Sequence, residues 1–338
     1  MNQPRVNPGR IVHMASAFYE SCILFAASDL GVFALLAREE SAPEDLIATQ
    51  LSLAPRGARL LLDGCVAIGL LEKQDGHYRN SAEAAAFLVP GQPGELSSAL
   101  RYNRDVYQAW GQLTRFARTG VPVEKPELHL GEDEARTRAF VMSMHGKALG
   151  MLPVVLPMLE LDGCRQLLDV GGGPGTFAVA LARAHAGLRC TVLDLPPIVA
   201  IGEQLIAQQG AADRVSVLGG DYHTTPFPPG NDAVHMFGML HQESPETIQD
   251  LLARAYVALE PGGRFHVLDM MTDSTRTSPP FSALFAVNMA LTKEHGWVFS
   301  DEDLAQWVKA AGFEDFQIRK LPPPMPHWLA SARKPLLA

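Results

Sequence analysis

One passage constrains the 338-residue sequence more than any other: Leu167-Leu168-Asp169-Val170 running into Gly171-Gly172-Gly173-Pro174-Gly175-Thr176-Phe177. Glycine permits positive φ and leaves no Cβ in the way of a ligand that must touch the backbone. An apolar run that enters such a turn and leaves it as the helical stretch Ala178 to Ala184 predicts strand, tight turn and helix, with a ligand at the turn. Further short apolar runs follow at 189–193, 215–219, 232–237 and 264–270, after the first at 166–170, with helical stretches between them. This rhythm predicts an α/β fold with a doubly wound, mostly parallel sheet that binds ligands outside the carboxyl ends of its strands.

The chain before residue 161 has a different texture. Ile11 to Ala27 is apolar nearly all round, which suits a helix that needs a partner on several sides. Helical stripes follow at 30–36 and after Ala54-Pro55-Arg56, with a helix start at Ser41-Ala42-Pro43-Glu44 that places Pro at the first helical position. Leu70–Lys73 and His77–Arg79, joined through Asp75-Gly76, form a two-stranded wing. Such a winged-helix pattern suits DNA binding, yet acids outnumber bases over residues 29–80, and most of the net charge of −9 falls on residues 151–338. Nucleic-acid affinity comes largely from neutralising phosphates, so no nucleic-acid partner is expected and the region reads as an assembly domain. The boundaries expected are 1–94 for this domain, 95–160 for a helical linker with a loop around Gly120–Pro126, and 161–338 for the sheet.

The hydrophobic share of 47% and charged share of 19% are those of an ordinary folded protein. No apolar run is expected to reach the roughly 18 residues that cross a bilayer. Met1–Arg10 is polar with two prolines, so neither a signal peptide nor a membrane partner is expected and a cytoplasmic setting is. Cys22, Cys65, Cys164 and Cys190 are dispersed, without metal-ligand spacing, so they read as reduced thiols and no metal is expected.

Asp194 ends the second strand, where a carboxylate can accept both hydroxyls of a ribose. A dinucleotide fingerprint would require glycine where Thr176 stands. The third strand ends Gly219-Gly220-Asp221-Tyr222, an acid placed for an adenine amino group beside an aromatic ring. A glycine turn, a ribose acid and an adenine acid at successive strand ends resemble the S-adenosylmethionine site of the class I methyltransferases. With the wing, the Asp-Leu-Pro at 194–196 and Leu240-His241 after the fourth strand, almost the whole chain is similar to the dimeric small-molecule O-methyltransferases of the caffeate and hydroxyindole type.

The resemblance implies a Rossmann-like catalytic domain behind an N-terminal dimerisation domain, a homodimer, and a small-molecule acceptor. It places Asp169, Gly171 and Gly173 at the methionine end of S-adenosylmethionine, Asp194 and Leu195 at the ribose, and Asp221 with Tyr222 at the adenine. Phe237 stands where the family has a cofactor-contacting basic residue. His241 matches the family's general base, which takes a proton from the acceptor hydroxyl and leaves S-adenosylhomocysteine as product. An acceptor pocket is expected from Tyr102, Trp110, Met144, His145, Phe285, Asn288, Met289, His295 and Trp297, whose soft and aromatic character suits an aromatic or polyketide-like natural product.

Besides Phe237, the chain departs from the family's pattern in two places. The usual His-Asp-Trp is His241-Gln242-Glu243, and Val298 replaces the glutamate that orients the histidine. That loss leaves Glu243, Glu294 or Asp301 as substitutes for the orienting acid, with Asp269 read only as a strand-end anchor. It also opens an alternative: the same fold and cofactor serving carbon or nitrogen methylation, or decarboxylation or rearrangement without methyl transfer.

Overall fold

The computed structural model describes residues 7–92, 95–124 and 131–336. Residues 1–6 of the polar N-terminus and residues 125–126 of the expected 120–126 loop lie outside that range. The chain forms two compact units, Met1–Arg104 and Asp105–Ala338. Residues 105–160 thus group with the sheet, and the division falls ten residues beyond the boundary expected at 94.

The first unit begins with helices α1 (Gly9–Ser16) and α2 (Phe18–Asp29), separated only by Ala17, whose backbone stays right-handed helical, so the path follows the helix expected over Ile11 to Ala27. The Ser16 hydroxyl donates to the carbonyls of Val12 and His13 just before Ala17. α1 buries none of its residues and α2 only Ala27, leaving Ile11, Val12, Met14, Phe18 and Tyr19 exposed. α3 (Val32–Glu39), strand β1 (Ala42–Pro43), α4 (Glu44–Gln50) and α5 (Pro55–Ala67) follow. Pro43 pairs with the strand and caps α4, one position before the expected N1. β2 (Leu71–Gln74) and β3 (His77–Asn80) make the expected hairpin, its turn built on positive φ at Asp75 and Gly76. α6 (Ala82–Phe87) is capped by Ser81, and α7 (Ser97–Trp110) runs into the second unit. Phe33, Leu36, Ile47, Leu62 and Tyr78 form the core of the first unit, with the Tyr78 hydroxyl donating to Asp63.

The second unit holds α8 (Leu113–Thr119), α9 (Glu134–Val155), β4 (Gln166–Val170), α10 (Thr176–Ala184), β5 (Arg189–Asp194), α11 (Pro196–Gln208), β6 (Val215–Gly219) and β7 (Asn231–Phe237). After these come α12 (Pro245–Ala258), β8 (Leu259–Met270), α13 (Pro280–Thr292), α14 (Asp301–Ala310), β9 (Glu314–Lys320) and β10 (His327–Arg333). The sheet order is β6-β5-β4-β7-β8-β10-β9; the first five strands are parallel and β10 runs antiparallel to both neighbours. Alternation splits its side chains between two cores. Leu168, Val170, Val234 and Val267 meet α12 and α14 on one face, and Leu167, Val192, Ala233 and Leu268 meet α10 and α11 on the other.

The expectation about apolar runs needs correction. Gly9–Asp29 and Glu134–Met158 both have the length and mean hydropathy, 1.3 and 1.4, of a bilayer span. Small and weakly polar residues dilute these stretches without breaking their helical continuity, so no unbroken apolar run appears in the sequence. In the second stretch Thr137, Val141, Ser143 and Val155 are buried within the unit, Val141 against Ile198 and Ile201 of α11.

On the α10 side two histidines lie in the sheet interior. His235 stacks on Phe237 at 4.6 Å and meets His266 edge-on at 5.0 Å. Burial, aided by the charges of Arg264, Arg319 and Arg333, depresses His266 to about 3, and burial drives His235 well below the usual imidazole value. An unfolded chain protonates these rings near pH 6.5 while the folded one refuses the proton, so their contribution to stability is complete above that pH and is lost as pH falls toward the folded value. His266→Leu therefore shows a smaller drop in Tm between pH 7 and pH 5 than the parent, a difference worth up to about 1.4 kcal/mol per pH unit. Equal drops in the two proteins would contradict this account.

Candidate active site

The carboxyl ends of β4, β5 and β6 carry the residues that the sequence singles out. Gly171, Gly173 and Gly175 adopt positive φ of 66°, 55° and 71°, which lets the chain reverse within five residues before α10. Gly172 is required for a different reason: a Cβ there would lie 2.5 Å from Asp169 Oδ2 and 2.9 Å from Val192 Cγ1. The glycine turn thus wraps the Asp169 carboxylate, which is 2% exposed and whose Oδ1 has no hydrogen-bond partner among the described residues. Burial, reinforced by the charge of Asp194, pushes Asp169 up to about 7.

Asp194 is held by two backbone donors, Leu195 N–H at 2.7 Å to Oδ1 and Gly173 N–H at 2.8 Å to Oδ2. Burial raises it to about 6, although those two N–H groups pull the other way. Leu195 packs beside Ile198 and Phe140. Tyr222 closes the other side of the turn, since Gly171 has Met239 and Tyr222 as its nearest neighbours. Phe237 stacks on His235 and meets Phe177 edge-on, an apolar contact at the position where a basic group was expected from the family.

His241 sits on a 3₁₀ turn, Leu240–Gln242, just beyond β7. Its Nδ1 lies 2.6 Å from Asp269 Oδ1, and its backbone N–H donates to Oδ2 of the same carboxylate at 3.3 Å. Asp269 is 1% exposed and also accepts the Met270 N–H at 2.7 Å. Asp269, read from the sequence as a strand anchor, is therefore the acid that orients His241. β7 and β8 are adjacent and parallel, so the turn after one lies beside the end of the other. Val298 is buried, and none of the three substitute acids fills the role: Glu243 faces Tyr222 and His223, Glu294 is exposed, and Asp301 starts α14.

With Nδ1–H donated to a buried carboxylate, the imidazole presents Nε2 as a proton acceptor. Phe285 of α13 packs edge-on against the ring at 5.1 Å. Trp110 Nε1 donates to Asn288 Oδ1 at 2.8 Å, which joins α7 to α13, and Met289 is buried beside them on α13. On α9, His145 Nδ1 meets the Thr176 hydroxyl at 2.8 Å, so this helix overlies the start of α10, with the half-buried Met144 beside it. His295 is exposed. Trp297 spends its polar groups on the segment that carries His241, with its backbone N–H donating to the His241 carbonyl at 2.9 Å and its indole N–H to the Glu243 carbonyl at 2.7 Å. Tyr102 belongs to the first unit.

Two further polar groups escaped the sequence. Burial lowers Lys147 of α9 to about 8 and His327 of β10 to about 4, and His327 lies within the electrostatic reach of Asp269, His241 and Lys147. No local pattern marks either, because the helix and strand that bring them near the dyad are distant in the chain.

The O-methyltransferase domain matches residues 118–314 and the O-methyltransferase dimerisation domain residues 12–90. The chain is 33% identical to the tetracenomycin polyketide synthesis 8-O-methyl transferase TcmO of Streptomyces glaucescens, covering 97% of each chain. It is 32% identical to the 3-hydroxy-5-methyl-1-naphthoate 3-O-methyltransferase of Streptomyces sahachiroi over 90% of this chain and 89% of that one. Among solved structures, human N-acetylserotonin methyltransferase in complex with SAM superposes with a TM-score of 0.88 at 27% identity, covering 99% of this chain and all of that one.

The packing of Gly172 against Asp169 gives a direct test. Gly172→Ala forces a methyl group into a filled space and costs about 1–3 kcal/mol in urea unfolding. An unchanged midpoint would mean that the turn does not enclose the carboxylate.

Proposed function

Because the chain belongs to the S-adenosylmethionine-dependent O-methyltransferases with an N-terminal dimerisation domain, we propose that it methylates a hydroxyl of an aromatic or polyketide-like small molecule, with His241 as general base. The observation that carries this reading is the His241–Asp269 pair at 2.6 Å. A phenol or alcohol is a poor nucleophile until it loses its proton, and a neutral imidazole held in one tautomer accepts that proton at Nε2. Asp269 then balances the imidazolium charge in a site where water does so poorly. Carbon and nitrogen acceptors depend less on such a base, so the dyad favours oxygen. The two bacterial relatives named above act, by their names, on a polyketide and a naphthoate, in keeping with the acceptor class proposed here.

The residues present fit the cofactor. A buried carboxylate oxygen without a partner, at Asp169, suits the cationic methionine end, and the turn around it leaves backbone exposed to a ligand. Asp194, fixed by two N–H groups, keeps lone pairs for ribose hydroxyls, and Asp221 with Tyr222 would serve the adenine. S-adenosylmethionine supplies the electrophilic methyl group when bound. The chain's own contribution is to hold the acceptor oxygen in line, against walls drawn from Phe285, Met289, Met144 and Trp110, and to remove its proton.

We read the first unit as the winged-helix assembly domain of a homodimer, whose unpartnered α1 and α2 surfaces supply the interface, and the enzyme as cytoplasmic without nucleic-acid or membrane partners. Three measurements test the reading. Calorimetric titration with S-adenosylhomocysteine gives binding in the parent protein and loss of it in Asp194→Ala. His241→Ala and Asp269→Ala lower kcat/KM for methyl transfer about 10²–10⁴-fold and about 10²-fold, with the product's Kd within twofold of the parent; undiminished turnover in His241→Ala would remove it as the base.

The raised Asp169 sets a pH dependence. Below about 7 this carboxyl is protonated and neutral, so a cationic ligand must displace its proton. Affinity for S-adenosylhomocysteine rises toward a plateau between pH 6 and pH 8, and Asp169→Asn flattens that profile while weakening binding at pH 8.

A further inference from the structure

Outside the dyad, one buried carboxylate has a more elaborate set of partners than a structural role demands. Glu243 stands two residues after His241, where the family has tryptophan, and only 5% of it is exposed. Its Oε1 accepts the Tyr222 hydroxyl at 2.5 Å, and its Oε2 lies 2.9 Å from His223 Nε2. The other ring nitrogen of His223 lies 2.6 Å from Asp221 Oδ1, which also accepts the His223 backbone N–H at 2.9 Å. The Glu243 carbonyl accepts the Trp297 indole N–H, while the Trp297 backbone donates to the His241 carbonyl.

We propose that His223 and Glu243 are positioning residues that lock the Asp221 carboxylate for the adenine amino group and tie it to the turn carrying His241. This rests on the reading of Asp221 as the adenine acid given above. Chemistry supports the lock. An imidazole that meets a carboxylate at each nitrogen donates to both only as the imidazolium, and a buried Glu243 needs such a charge beside it. Burial favours the neutral ring, yet the hydrogen bonds and charges of Glu243 and Asp221 outweigh it and raise His223. Asp221 alone is a half-exposed side chain free to rotate. With Oδ1 engaged twice, its plane is set and Oδ2 is left for a ligand, so the ordering cost is met before binding. The same carboxylate that anchors the lock belongs to the segment that carries the base, so the adenine end of the site and the proton acceptor share one support.

The test compares two ligands that differ at the edge Asp221 would recognise: S-adenosylhomocysteine, and S-inosylhomocysteine, in which a carbonyl replaces the adenine amino group and the adjacent ring nitrogen carries a proton. Calorimetry on the full-length protein gives, for His223→Ala and for Glu243→Gln, about tenfold weaker binding of the first ligand and binding of the second within twofold of the parent. The double variant binds no more weakly than the weaker single variant, because the two residues act as one unit. Variants that bind S-adenosylhomocysteine as the parent does, or that lose both ligands equally, overturn the proposal. If Glu243→Gln fails to fold, His223→Ala, whose ring is partly exposed, carries the comparison with His223→Asn, whose amide replaces the donor to Asp221 and restores most of the affinity. Failure of the parent itself to bind S-adenosylhomocysteine would instead overturn the methyltransferase reading.

Discussion

A carboxylate buried without a partner on one oxygen costs free energy, and the ligand edge of this sheet is built around such a group, Asp169. Its position at the end of a central strand requires the glycine turn, because Gly172 has no room for a Cβ against it. The turn in turn brings Gly173 N–H onto Asp194. Two acids from neighbouring strands are thereby held close enough for the charge of one to raise the other. In the proposed function a positively charged group of the ligand meets these acids, so burial and mutual charge at the two strand ends favour positive charge there.

The proposed proton acceptor lies one strand further along, held by the same geometric means. Parallel neighbours end at the same level of the sheet, so the turn after β7 meets the end of β8 and His241 meets Asp269. Adjacent strands stand about 4.8 Å apart, a spacing that two short side chains span with a hydrogen bond. An orienting acid on a distant loop would depend on that loop's order; one on a core strand with 1% exposure does not. The replacement of the family's glutamate by Val298 is accordingly compatible with a well-held base.

Much of this was legible in the sequence for reasons of locality. The glycine turn, the strand-end acids, the five parallel strands and the Asp75-Gly76 hairpin are each written in a few consecutive residues. The orienting role of Asp269 was not, because 28 residues separate it from His241 and only the pairing of β7 with β8 brings them together. The antiparallel β9 and β10 escaped as well, since their short alternating runs carry no glycine signal. His223 gave no sign of its two carboxylate partners, one of which is 20 residues away.

The division of labour within the second unit has an evolutionary corollary. In the proposed function, donor recognition and proton removal fall to strand ends and their immediate turns, where Asp194 and Asp269 are buried and Gly172 has no room for a side chain. The side chains proposed to face an acceptor come instead from α7, α9 and α13, helices whose exposed and half-buried positions accept substitution at small cost to the sheet. Phe285 touches the base with a ring edge and no polar bond. A lineage built this way diversifies its acceptors by repainting those helices while the strand ends stay still, and an engineer seeking a new acceptor should begin with the same surfaces.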